Sequence, residues 1–574
     1  MNKEGSVTNS INRISLGLTK LCDRLESISG KKPEHIALLC YLICRGLMIL
    51  VHEPWFDEAL AWLIARDSSL SEILFTAPHY EGHPSLWHLV LMPFAKLGAP
   101  FELSIGLVSL IFSGIAMALF IYKAPFRRMV RLFMPFTYFC FYQFGVVSRP
   151  YCMVMLAIVL MALTYGKRDI HPGRFLLSLW FLCITCAYGL VIAGGVCIVW
   201  LIEMFRDAYE TAKSRNSNNG EHRGAVRIYI EDYLIKEGKV FWLLGLLIYA
   251  IFIIYRIMPA NDAYAVLNAE DGASTSFTVR LLYMVFGLLS DLFITNTYSY
   301  GTTITVSGLG VIDVLPAVLI GAGILAVLIY MAKKKKMLLL LLVPYSMLIL
   351  VMTWLYMSRH HMGIALMYLV FFMWVYTEKD RPIEKDKKIK ETQTGKRDLK
   401  TSVIVLLAAV GMIIPLYWSI SSSVVDVVYD YSLGRDEYAF LEENGYPDST
   451  ILAEWEAMPV ADENVTPITF SVAVTGILPY MEKDTFLNSP AKAGYNYSLV
   501  HKPPAKDMTE KLIEDIDNAP LPDIIIGSPN YSQIYTTGSR IRMDEYECAC
   551  EVEGGLIWKG VPEMRSEKIY IRKR

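Results

Sequence analysis

Two carboxylates, Asp57 and Glu58, stand side by side just after the first long apolar run, in His52-Glu53-Pro54-Trp55-Phe56-Asp57-Glu58-Ala59. At a water–lipid boundary such a pair can supply a general base or ligate a metal. It can equally well cap the helical stretch that follows, whose dipole favours negative charge at its head. The same connection ends in His79-Tyr80-Glu81-Gly82-His83-Pro84-Ser85-Leu86-Trp87-His88. These are metal-ligating residue types, but their spacing matches no zinc pattern, and ordinary loop polarity accounts for them as well. Two arginines sit in short turns between apolar runs, Ser148-Arg149-Pro150-Tyr151 and Ser358-Arg359-His360-His361. A guanidinium is planar, permanently charged and able to bond bidentately, which suits a phosphate headgroup. The plain alternative is an arginine snorkelling at the membrane surface.

The elements that must position these residues are membrane helices. The chain has 574 residues, 54% hydrophobic and 19% charged, against about a quarter charged in soluble chains. Its apolar residues cluster in runs of the length that crosses a bilayer. The fold class expected is therefore a polytopic α-helical membrane protein. A net charge of -2 gives no reason to expect a nucleic acid partner. The first thirty or so residues are polar and lack the apolar core of a cleavable signal peptide.

Lysine and arginine concentrate near the N-terminus and in five connections: 123–131, 167–174, 206–239, 333–336 and 378–400. The positive-inside rule puts these in the cytoplasm. About eleven crossings then follow, at 35–51, 101–122, 132–147, 151–166, 175–190, 190–205, 239–257, 308–331, 337–355, 362–377 and 402–420. The N-terminus, 1–34, is expected inside. Segments 84–97 and 280–296 are short and carry charge or proline, so they are expected to lie in or dip into the outer interface. Gly194-Gly195 suggests short or broken helices at 175–205. The stretches 213–224 and 378–400 read as disordered.

The transmembrane part is expected over 35–420 and a compact extracytoplasmic α/β domain over 435–574. In the latter, 435–444 and 505–517 read as helices, and 450–453, 523–527, 547–553, 555–559 and 568–572 as strands. The ten cysteines give no framework. Most lie in apolar runs as small hydrophobes, and Cys548 and Cys550 alternate on a strand where a mutual disulfide needs unusual geometry.

At its polar turns the chain resembles the GT-C glycosyltransferases, in the branch of protein O-mannosyltransferases and aminoarabinose transferases. The resemblance covers about 1–420 and rests on four motifs in order: Asp57-Glu58-Ala59, Gly82-His83-Pro84-Ser85-Leu86, Arg149-Pro150-Tyr151 and Arg359-His360. In the second, Ser85 stands where a second proline is usual. In the middle spans Cys186-Ala187-Tyr188 stands where many relatives carry Thr-His-Tyr. The resemblance implies juxtamembrane helices in the first outer loop and a polyprenyl-phosphate sugar as donor. It implies Asp57 as the base, with Glu58 beside it in the catalytic pair. Arg149, Tyr151, Arg359 and His360 would bind the carrier phosphate, and His83 is a substrate-site candidate. Some GT-C enzymes use a divalent metal and others do not, so the cofactor stays open.

The expectation is thus a multi-pass cell-membrane glycosyltransferase. It would act on a glycan, glycolipid or protein acceptor at the outer face. A transporter or flippase of lipid-linked sugars is the main rival. It predicts repeated halves and charges in mid-span, whereas no repeat is visible and the polar motifs gather at one predicted face. A non-catalytic scaffold presenting its C-terminal domain is a second rival, in which Asp57 would be replaceable.

Overall fold

The computed structural model describes residues 3–219, 224–235, 238–260, 277–297, 311–354, 357–379, 399–446, 448–453, 456–457, 469–470, 472–487, 518–527 and 541–573. It is mostly helical. An amphipathic α1 (Lys3–Ser27) leads into α2 (Lys32–Ile49). The next connection folds as α3 (Phe56–Asp67), two short helices (Leu70–Phe75, Ala77–Glu81) and α4 (Leu86–Lys96). Then come α5 (Phe101–Lys123), α6 (Tyr151–Tyr165), α7 (Pro172–Cys183), α8 (Ala187–Asn219) and α9 (Lys239–Ile257). The last four long helices are α10 (Val311–Lys334), α11 (Leu338–Trp354), α12 (Met362–Glu378) and α13 (Leu399–Val428).

Six of the described helices, α5, α8, α9, α10, α12 and α13, are long and apolar enough to cross a membrane; α6, α7 and α11 are shorter apolar helices. Burial sorts them. Along α6 and α12 nearly every side chain is buried, the mark of helices surrounded by others. The apolar side chains of α9 and α10 stay largely exposed, Phe241 and Ile248 among them, as lipid-facing surface would be. Both termini of the bundle meet, because α1 packs along α13. Arg128 locks that end: it is buried, and its guanidinium donates to Glu34 and to the carbonyls of Leu25, Ile28 and Gly30.

Three expected crossings differ from what forms. Segment 132–147 is no regular α-helix: Pro135 sits in a 3-10 turn, followed by a buried π-helix (Phe139–Val146). A proline inside a helix removes a donor and crowds the preceding turn. The helices expected at 175–190 and 190–205 meet earlier, around Thr185. There α7 has only 12 residues, roughly 18 Å of helix, while α8 runs on for 33. Gly194 and Gly195 do not break α8. A Cβ at Gly195 would stand 2.7 Å from the Pro344 Cα, so this glycine lets α8 and α11 touch backbone to backbone.

As expected, α4 is short and carries Pro93. Segment 277–291 is a broken helix, Phe277–Leu282, a π-turn (Tyr283–Gly287) and Leu288–Asp291. It packs against α10 and buries Tyr283, Leu288 and Leu289 in the main core; the expectation was a helix lying in or dipping into the outer interface. Helix α8 also takes up 213–219, where disorder was expected; 220–223 and 380–398 lie outside the described residues.

After α13 come α14 (Gly434–Glu443) and a four-stranded sheet of β1 (Ile451–Ala453), β2 (Ile524–Gly527), β3 (Tyr546–Trp558) and β4 (Val561–Arg572). Its order is β1-β2-β4-β3, with β1 and β2 parallel and the other pairs antiparallel. The strands expected at 547–553 and 555–559 are one strand, continuous through Gly554-Gly555 with a bulge between Cys548 and Cys550. All ten cysteines are free. The helix expected at 505–517 lies outside the described residues.

The sheet does not merely rest on the bundle. The β3–β4 hairpin turns at Lys559-Gly560, both at positive φ, and its tip enters the helical core. Ile557 and Trp558 belong to the same buried cluster as the membrane helices. Trp558 packs edge-on against Tyr138 at 5.5 Å and donates to the Asn296 side chain at 2.9 Å. Lys559 is buried over the Trp418 ring at 4.1 Å and donates to the carbonyls of Asp291 and Thr295. Gly560 is required twice, by its φ of 85° and because a Cβ would collide with Ser421.

Candidate active site

The site builds from the head of α3. Trp55 is extended at the N-cap, and Glu58, at the third helical position, reaches back to accept the Trp55 N–H at 2.9 Å. This is the acidic half of a capping box. It leaves Asp57 on the neighbouring face of the first turn, partly exposed at 29%.

Asp57 meets Arg149 there in a direct ion pair, and Arg149 is 15% exposed. Arg149 comes from the turn between the π-helix and α6, where its N–H donates to the Val147 carbonyl at 3.0 Å. Pro150 ends the turn, and Tyr151 opens α6.

Tyr151 is the hub. Its ring stacks on Phe144 at 5.0 Å, and the Arg149 guanidinium lies 5.7 Å from its centre. The rings of His360, His361 and His83 surround it at 5.6, 5.8 and 6.5 Å. The first two come from the turn ahead of α12. There the Ser358 N–H donates to Nδ1 of His361, and the Ser358 hydroxyl pairs with Nδ1 of His360. His83 follows the left-handed Gly82. Its buried Nδ1 has no hydrogen-bond partner among the described residues. Burial pushes His83 and His88 down to about 4, so both are neutral imidazoles near neutral pH. Burial raises Glu81 to about 7.

Of the residues singled out in the sequence, Asp57, His83, Arg149, Tyr151 and His360 therefore converge on one place. Glu58 and Arg359 face elsewhere. Glu58 is fully buried, and its second oxygen accepts the Ser148 N–H at 2.5 Å. Arg359 lies over Trp558 at 5.6 Å and donates to Glu563 of β4 at 2.6 Å.

Sequence reasoning missed several participants. His361 stands next to a residue it did single out, and its ring lies 4.8 Å from that of Tyr188. Tyr188 belongs to Cys186-Ala187-Tyr188, so the mid-span motif reaches this site. Glu563 and Asp426 carried no local signal, because each finds its partner hundreds of positions away.

Asp57 is bound to a guanidinium, and both oxygens of Glu58 hold backbone N–H groups. Among the described residues no group of three or more His, Cys, Asp or Glu is arranged to hold one. No protein-family model matches the chain, and no curated protein matches it at a significant level.

What the cluster offers is a partly exposed carboxylate on a guanidinium, ringed by neutral imidazoles and a tyrosine face. It supplies an anion-binding cation, a proton acceptor, and hydrogen-bonding groups suited to hydroxyls.

Proposed function

We propose that the protein is a membrane glycosyltransferase that moves a sugar from a polyprenyl-phosphate donor to a glycan, glycolipid or protein acceptor. The observation that carries this reading is the Asp57–Arg149 pair. It brings a carboxylate and a guanidinium into contact, within one cluster that also holds His83, Tyr151 and His360. In this reading the basic connections face the cytoplasm, as the positive-inside rule favours, and the cluster and the C-terminal sheet face outside.

In this reading the carrier phosphate takes Arg149 from Asp57 and so frees the carboxylate. Asp57 then accepts the proton of the acceptor hydroxyl, whose oxygen attacks the anomeric carbon. The bond from that carbon to the phosphate oxygen breaks, and the electron pair leaves on the phosphate. Arg149 offsets the charge that develops there, with His360 beside it, and Arg359 would join them once released from Glu563. The imidazole of His83 and the Tyr151 ring bound the sugar. Glu58, buried and fully engaged, acts through its neighbours.

The test is Asp57→Asn in proteoliposomes supplied with polyprenyl-phosphate sugars. Transfer should fall by about 10²–10⁴-fold, the usual range for a general base, with protein yield and unfolding temperature near wild type. Full transfer by a folded Asp57→Asn protein would remove the assignment.

A further inference from the structure

A second charged group lies behind the site, wholly enclosed. Asp426, near the end of α13, accepts from the Tyr142 hydroxyl at 3.1 Å and pairs with Nδ1 of His52 at 2.8 Å. The other ring nitrogen of His52 stands 3.5 Å from Glu58. Glu58 holds the Trp55 and Ser148 N–H groups, one on each oxygen. Asp426, His52, Glu58 and Ser148 are all buried.

The chain of contacts links four separate parts of the fold: the last long helix, the residue just past α2, the head of α3 and the turn before α6. None of its members joins the Tyr151 cluster. Yet its last two members flank the reactive pair, since Glu58 follows Asp57 and Ser148 precedes Arg149.

Burying three ionisable side chains is costly, and packing alone would be served as well by apolar residues of the same volume. What apolar residues could not do is grip a backbone N–H. A carboxylate accepting one N–H from each of two segments fixes their separation and angle together. Here those segments carry the carboxylate and the guanidinium. A misplacement of about 1 Å at reacting groups costs on the order of a hundredfold in rate.

We propose that Asp426, His52 and Glu58 form a buried strut that sets the Arg149 turn against the head of α3, and so aligns Arg149 with Asp57 for the carrier phosphate. Asp426 and His52 are positioning residues: they touch neither reacting group and act only through Glu58. The link to phosphate rests on the glycosyltransferase reading; the strut itself does not.

Two measurements separate these. The first is hydrogen exchange of the intact protein in detergent, read at the peptide containing Ser148. His52→Gln and Asp426→Asn should each speed exchange there by about tenfold or more, as expected for local opening, with α5 and α12 unchanged. Either variant suffices if the other fails to fold. Unchanged exchange at Ser148, or a uniform rise across the bundle, overturns the strut.

The second is a double-mutant cycle with farnesyl phosphate as the probe. His52→Gln should weaken binding about tenfold in wild type and hardly at all in an Arg149→Ala background, because its effect passes through Arg149. Equal weakening in both backgrounds overturns the link to Arg149. If wild type binds no farnesyl phosphate, the glycosyltransferase reading fails, while the exchange result still decides the strut.

Discussion

The guanidinium of Arg359 donates to the carboxylate of Glu563 at 2.6 Å, across 204 positions of sequence. An internal carboxylate thus sits on a cation that the proposed function gives to a phosphate. Glu563→Gln keeps the shape and removes the competing charge. It should tighten farnesyl phosphate binding several-fold, and Arg359→Ala should weaken it by about 1.5–3 kcal/mol. Titration of both variants reads this directly. Weaker binding by Glu563→Gln would show that the glutamate orients the arginine and does not compete for it.

The hairpin tip should matter for stability. Trp558→Ala removes a buried indole packed on Tyr138 and leaves Asn296 without its donor. A loss of about 3–5 kcal/mol is the ordinary cost of such a truncation. Gly560→Val should be as severe, since it combines a positive φ with a clash on Ser421. Unfolding in detergent, followed by tryptophan fluorescence in Gly560→Val and by calorimetry in Trp558→Ala, measures both. A midpoint within a degree of wild type in each would mean that the tip is not seated in the bundle.

His52 gives the protein a pH signature. Burial alone would lower it, but Asp426 and Glu58, facing it from α13 and α3, outweigh burial and hold it up to about 10. The Tyr431 ring covers it at 4.8 Å. The folded state therefore keeps a proton that the unfolded chain loses near 6.5. The stability this brings is complete below about 6.5 and is lost as pH rises toward 10. Unfolding temperature should decline over that window, and His52→Gln should flatten the decline. An identical slope in the variant would assign it to other groups.

The orientation proposed from charge is open to labelling. In a cysteine-depleted background, cysteines replacing Ser69 and Glu442 should react with impermeant thiol reagents applied to intact cells. A cysteine at Lys334 should react only after the membrane is opened. All three positions are exposed, so access to the membrane face is what differs. Labelling of position 334 from outside would invert the topology.

Apolar run length was enough to foresee most of the long helices, and polar turns between runs were enough to find five of the clustered site residues. Both are local signals. The π-helix at Phe139–Val146 was not legible, because its composition is that of any apolar span and only Pro135 hints at irregularity. Glu58 read as half of an acidic pair. Its engagement with Ser148 depends on how the turn before α6 docks, which no spacing within either segment encodes. Lys559 read as a polar strand end. Its burial depends on Trp418 and on carbonyls at 291 and 295 that only the finished fold supplies.

The hairpin that enters the core follows every long apolar helix in the chain and is therefore synthesised after them. Until Trp558, Lys559 and Gly560 leave the ribosome, the cavity between Tyr138, Trp418 and Asp291 has no filling. The carbonyls that hold the lysine also wait without a partner. Arg359 likewise keeps its charge unmatched until β4 arrives. A nascent chain can therefore thread every apolar helix into the bilayer and still be incomplete at the mouth of the bundle. Completion is a docking step that follows synthesis of the helices, and a nonsense change ahead of Trp558 would leave an inserted but unsealed protein for the cell's quality control to meet.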